Sequence, residues 1–241
     1  MNTTIKSLTV GVVFLAAVSF VNAATVFIEH SGATDPTTEG WSASGTSSLG
    51  SATTGAWSVD DDSTTAALLY IESLASADEV EANSTGWELS VTLQVTDTNN
   101  SADLTRYVDY VDSINDARWG MDFGSTAEGY LTVSLRSSAL SYTFNDGDYH
   151  SFSLVYDSVS GTASLFADGG SSAILSGYEG MDAGSISTGL IRWGSSSSGA
   201  TGSADYSAVA FSTIPEASSS ALMAMLIAFG FCLIKRRYAR Q

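Results

Sequence analysis

Basic residues are scarce in this 241-residue chain: nine Lys and Arg stand against twenty-six Asp and Glu. Lys6 lies near the amino terminus and Lys235, Arg236, Arg237 and Arg240 near the carboxyl terminus, so the body between them keeps only Arg106, Arg118, Arg136 and Arg192. The acids lie in that body or at its border with the tail, and four arginines against twenty-six acids give a net charge near −22. Phosphate recognition needs a basic face, so nucleic acid is not an expected partner. Such a balance fits solubility, binding of divalent cations or a salty environment. Cysteine is limited to Cys232, which excludes a disulfide within the chain; inside an apolar run it reads as filler, not as a reactive thiol. Histidine occurs only as His30 and His150, so neither a zinc spacing nor a Ser-His-Asp arrangement can be assembled with any specificity. Proline occurs only as Pro36 and Pro215 in a chain rich in Ser, Thr and Gly, yet five Trp, ten Tyr and ten Phe supply more apolar anchorage than a disordered chain has.

The two ends have their own patterns. Lys6, an apolar stretch over 8–21 and the small-residue site Val21-Asn22-Ala23 follow the secretory signal peptide, with cleavage expected after Ala23. An uncleaved anchor is the alternative, disfavoured by the short stretch and the cleavage site. At the other end Pro215-Glu216-Ala217 precedes a largely apolar run over 221–234 and the cations Lys235, Arg236 and Arg237. Cations after an apolar helix stay cytoplasmic, which would leave the acidic body outside a membrane that this helix marginally spans.

This tail resembles the PEP-CTERM sorting tails processed by exosortases, with Ala217 standing where the usual motif has a second proline. The resemblance implies an exported chain that meets the secretion translocon and an exosortase-type peptidase. It further implies first anchorage in the cell-envelope membrane through the C-terminal helix, and then release toward an extracellular matrix. An ordinary single-pass anchor is the alternative. The expected organisation is a signal peptide at 1–23, one domain at 24–213 and the tail at 214–241.

Within the body, 87–95 alternates Trp87, Leu89, Val91, Leu93 and Val95 with polar residues, and 130–135, 152–156 and 163–167 repeat the pattern. Turn formers separate these runs, among them Asn145-Asp146-Gly147-Asp148, Ser160-Gly161 and Asp168-Gly169-Gly170. Short alternating strands with hardly any helical periodicity predict an all-β antiparallel sandwich or jelly roll, with one short helical turn near 75–80. The stretch Asp146-Gly147-Asp148-Tyr149-His150, a strand ending Tyr156-Asp157, the turn Ser160-Gly161 and a strand ending Asp168-Gly169 resembles the LamG and concanavalin A-like signature. The full expected fold is therefore that sandwich flanked by a signal peptide and a C-terminal transmembrane helix.

Glycosidases on such a fold carry paired carboxylates close to Glu-x-Asp-x-x-Glu, because acid and nucleophile must flank one bond. That pattern is missing here. Glu79 and Glu81 read as a solvated run and His150 as a turn residue, so the chain is expected not to be an enzyme. Consecutive Asp60, Asp61 and Asp62 offer hard oxygen ligands and are the preferred calcium candidates, ahead of 97–100 and 109–116, although none matches a defined calcium loop. Trp41, Trp57, Trp119 and Trp193 are candidates for an exposed sugar platform, with core packing as the alternative. The expected function is an exported, non-catalytic module binding extracellular polysaccharide or a surface protein. A structural matrix protein without a ligand, or a glycan-active enzyme, are the competing readings.

Overall fold

Alternating burial decides the architecture. From Trp87 to Val95 buried and half-buried residues alternate without a break, as a strand with one face on a core requires. The computed structural model describes residues 24–214 apart from 98, 99 and 198, and for 100–104 the backbone alone. One eight-stranded sheet, A, runs β13 (Leu175–Tyr178), β12 (Thr162–Ala167), β11 (His150–Asp157), β6 (Trp87–Val95), β16 (Gly202–Thr213), β4 (Ala56–Asp61) and β3 (Gly50–Thr53), with β1 (Val26–Ser31) alongside β16. The other, B, runs β10 (Ser141–Thr143), β9 (Leu131–Leu135), β8 (Ala117–Ser125), β7 (Asn100–Asp112), β15 (Leu190–Gly194), β5 (Leu68–Ser73) and β2 (Ser42–Gly45), with β14 (Met181–Asp182) on β8. All the pairings described are antiparallel.

The core between the sheets is dense in aromatic rings. Trp87 stacks on Tyr156 at 5.2 Å and meets Tyr110, Trp119 and Phe211, while Trp193 lies against His30, Trp41, Tyr70 and Tyr206. The expected hairpin is present, with Phe152, Leu154 and Tyr156 opposite Ala167, Leu165 and Ala163. Gly161 closes it at φ 70°, its N–H donating to the Asp157 carbonyl.

The helical turn expected at 75–80 extends further, as α1 (Ser76–Thr85). Tertiary hydrogen bonds hold it. Glu79, expected in solvent, is instead 3 % exposed and accepts the Ser113 N–H at 2.6 Å, the Ser113 hydroxyl at 2.8 Å and the Gly189 N–H at 3.3 Å. Asn83 donates to the Tyr110 hydroxyl and to Asp112. A Cβ at Gly189 would stand 2.4 Å from the Glu79 carboxyl, so the loop can approach the helix only because it carries glycine there.

Among the described residues no helix is long and apolar enough to cross a membrane. The ten residues of α1 span about 15 Å, half a hydrocarbon core of about 30 Å, and carry Asp78, Glu79 and Glu81. The expected fold class is corrected to an all-β sandwich in which α1 is the one α-helix among the described residues: neither the transmembrane helix nor the apolar signal segment has a counterpart in the described structure. Membrane partnership and envelope anchorage through a C-terminal helix are set aside with it. Residues 1–23 and 215–241, on which the signal peptide, the sorting motif Pro215, Glu216 and Ala217 and the flank Lys235, Arg236 and Arg237 fall, lie outside the described residues.

Candidate binding groove

The outer face of sheet A carries an open depression of about 350 Å³. Strand parity builds its floor. Residues facing the core on β11 are Phe152 and Leu154, so Ser151, Ser153 and Val155 face outward, joined by Glu88 of β6 and Phe166 of β12. Register sets Phe166 directly opposite Ser153, and Val155 opposite Glu88. The groove therefore combines an aromatic ring, serine hydroxyls and one carboxylate among its described residues, with Ile214 adding apolar surface.

Gly169 and Gly170 also line the groove, and the signature stretch positions them. Asp168 and Gly169 have φ of 53° and 67°, and the Gly170 N–H donates to the Ala167 carbonyl at 2.9 Å, a tight turn that needs two left-handed residues. Asp168 is tied to the start of β11 three times. Its N–H donates to the Ser151 carbonyl, its Oδ1 accepts the Ser151 N–H at 3.0 Å, and its Oδ2 lies 2.9 Å from His150 Nδ1. The other imidazole nitrogen, Nε2, lies 2.7 Å from Asp146 Oδ1. His150 thus clamps the turn at 146 to the turn at 168, its ring 3.9 Å from that of Phe144.

Burial alone would lower the His150 pKa, but its bonds to Asp168 and Asp146 hold it above the ordinary value. Hydrogen bonding to His150 in turn holds Asp146 below the usual carboxylate value. A histidine raised in the folded state stabilises fully below its unfolded pKa, and that contribution is lost as pH rises through the folded value. A lowered aspartate contributes above its unfolded pKa and loses its effect as pH falls through the folded one. The clamp is therefore strongest between the ordinary Asp and His values of about 3.9 and about 6.5. Melting curves of the wild-type chain and His150→Asn should differ more at about pH 5.5 than at about pH 8.5; an equal difference at both would mean the clamp does not depend on the imidazolium.

The other candidate residues are placed differently. Asp60 is exposed and takes the Ser203 hydroxyl, whereas Asp61 is fully buried and takes the Ser195 hydroxyl and the Ser63 N–H. Burial raises the Asp61 pKa. Neighbours on one strand point to opposite faces, so β4 separates Asp60 from Asp61, and Asp62 follows the strand end in solvent. Asp112 closes its own turn on Ile114 and Asn115. Among the described residues no three His, Cys, Asp or Glu gather where a metal ion could be held. Trp41, Trp57, Trp119 and Trp193 are all core residues, at most 9 % exposed, so none offers a platform to a sugar. Phe166 is the ring that lines the groove, on the outer face of sheet A.

No family model and no curated protein matches the chain. Among solved structures it is similar to a carbohydrate esterase from Shiga toxin-encoding bacteriophage phi24B, at 10 % identity and a TM-score of 0.51 over 79 % of this chain and 99 % of that one. It is also similar to the binding domain of botulinum neurotoxin serotype D/C VPI 5993, at 10 % identity and a TM-score of 0.49, over 83 % of this chain and 52 % of that one. Peanut lectin matches at 11 % identity and a TM-score of 0.47, over 79 % of this chain and 97 % of the lectin. The likeness to the esterase shows the fold alone, in agreement with the sandwich of two antiparallel sheets.

Proposed function

We propose that the chain is an exported, non-catalytic module that binds a neutral segment of an extracellular polysaccharide in the groove on sheet A. The observation that carries this reading is the pairing of Phe166 with Ser153, which sets an aromatic ring beside a hydroxyl in a groove that Glu88 also lines. A pyranose presents C–H groups on its face and hydroxyls around its rim, and a site with an apolar ring and a few convergent polar groups is complementary to both. Among the described residues Glu88 is the single carboxylate lining the groove, whereas glycoside hydrolysis uses two flanking the same bond, so binding without cleavage is the reading favoured. Sorting at Pro215-Glu216-Ala217 belongs to the same proposal and rests on the sequence.

A glycan array should identify neutral oligosaccharides retained by the wild-type chain, with no reducing sugar released. Phe166→Ala, on the outer face, should leave the melting temperature nearly unchanged and weaken binding about tenfold, equivalent to about 1.4 kcal/mol. An array without retained glycans would favour a purely structural matrix component, and release of reducing ends would favour an enzyme.

A further inference from the structure

Three of the body's four arginines converge on the outer face of sheet B, across the sandwich from the groove. Register aligns Gly120 of β8, Asp109 of β7 and Arg192 of β15 in one row. Arg192 grips Asp109 bidentately through one edge of its guanidinium, Nε donating to Oδ1 at 3.0 Å and Nη2 to Oδ2 at 2.9 Å. Arg136 passes over Gly120, where a Cβ would stand 3.2 Å from the Asp109 Cβ and 3.3 Å from Arg136 Nε, and reaches Oδ2 at 2.9 Å. Arg118 meets the same oxygen through Nε at 2.5 Å. Asp122 takes Arg136 Nε and Nη2, and the Arg136 guanidinium lies 4.3 Å above the Tyr107 ring.

The arrangement is unbalanced in charge and in exposure. Three cations face two carboxylates, leaving one positive charge on a body that is acidic elsewhere. The Asp109 side chain is fully buried and Arg136 5 % exposed, but Arg118 and Arg192 are each 22 % exposed. Among the described residues, Nη1 and Nη2 of Arg118 and Nη1 of Arg192 have no hydrogen-bond partner in the protein. Both guanidinium groups bond to Asp109 Oδ2, so their open donors are held close together by a carboxylate that has already removed their rotamer freedom.

We propose that this face is a second binding site, taking the carboxylate of a uronic acid or a similarly small, sparsely charged ligand on the open donors of Arg118 and Arg192. A planar carboxylate matches guanidinium edges, and the preorganised pair binds it without ordering long side chains. Charge density limits the choice of ligand. The acidic surroundings repel a polyanion over all of its length except here, whereas a single carboxylate meets only the local positive charge.

Titration of the full chain with sodium glucuronate, with glucose as the neutral comparison, tests the site. Glucuronate should shift the Nε–Hε resonances of Arg118 and Arg192, and glucose should not. Arg118→Gln, which leaves Asp109 paired with Arg136 and Arg192, should weaken glucuronate binding at least about tenfold, with Arg118→Lys between it and the wild type. Phe166→Ala should leave glucuronate binding unchanged, which separates this site from the groove. The proposal is overturned if glucose shifts the arginine resonances equally, if Arg118→Gln binds as the wild type does, or if Phe166→Ala abolishes glucuronate binding. Should Arg118→Gln fail to fold, the wild-type resonances decide alone.

Discussion

Leu154→Asp is expected to destabilise the sandwich by about 3–5 kcal/mol, or to unfold it outright, because it places an unpaired charge among apolar side chains. Leu154 is fully buried, with Leu89 on one side and Leu165 on the other. Since natural domains have only about 5–15 kcal/mol in total, a single substitution of this kind can consume most of the stability. Ser153→Asp, one residue away, points outward and should cost little. Chemical denaturation of both variants checks the parity on which the groove depends. Equal losses would mean that Ser153 and Phe166 do not share the outer face.

Asp109→Asn should be nearly as severe, at about 3–5 kcal/mol, although it only replaces one oxygen by an amide. Three arginines would then share a buried site with Asp122 as the remaining carboxylate, and two cations would lose their closest compensating charge. Glu128→Gln, exposed and outside any ion pair among the described residues, should change stability by less than about 0.5 kcal/mol. Urea midpoints of the two variants give the comparison directly, and a mild effect at Asp109 would mean that its arginines find other partners.

The strands of sheet A around the groove were legible because each has one face on the core and one outside. That produces the two-residue alternation visible at 87–95, 152–156 and 163–167. The turn residues Asp146, Gly147, His150, Asp168 and Gly169 were legible as a signature, but not the clamp between them, since His150 meets Asp168 only after β11 and β12 pair. Phe166 was read as part of a strand, and its outward direction follows from the parity of its neighbours, a signal the sequence does contain.

Other features arise only from long-range placement. From 105 to 112 every residue is buried, so β7 carries no alternation, and Asp109 reads in sequence as one more solvated acid. Arg118, Arg136 and Arg192 are far apart in the chain and meet only because β8, β9 and β15 bring them to one carboxylate. Glu79 misleads for the same reason: its polar neighbours imply solvent, while its hydrogen-bonding partners Ser113 and Gly189 lie in distant loops. The three consecutive aspartates implied a shared ion by proximity along the chain, whereas strand geometry sends Asp60 and Asp61 to opposite faces.

The central claim, a neutral-glycan groove on sheet A, is tested most directly by backbone amide chemical-shift mapping of the chain with an oligosaccharide retained on the array. The account predicts the largest shifts at Glu88, Ser151, Ser153, Phe166, Gly169 and Gly170, with the arginine face of sheet B unmoved. Shifts confined to sheet B, or none at these six positions on saturation with the sugar, would contradict it.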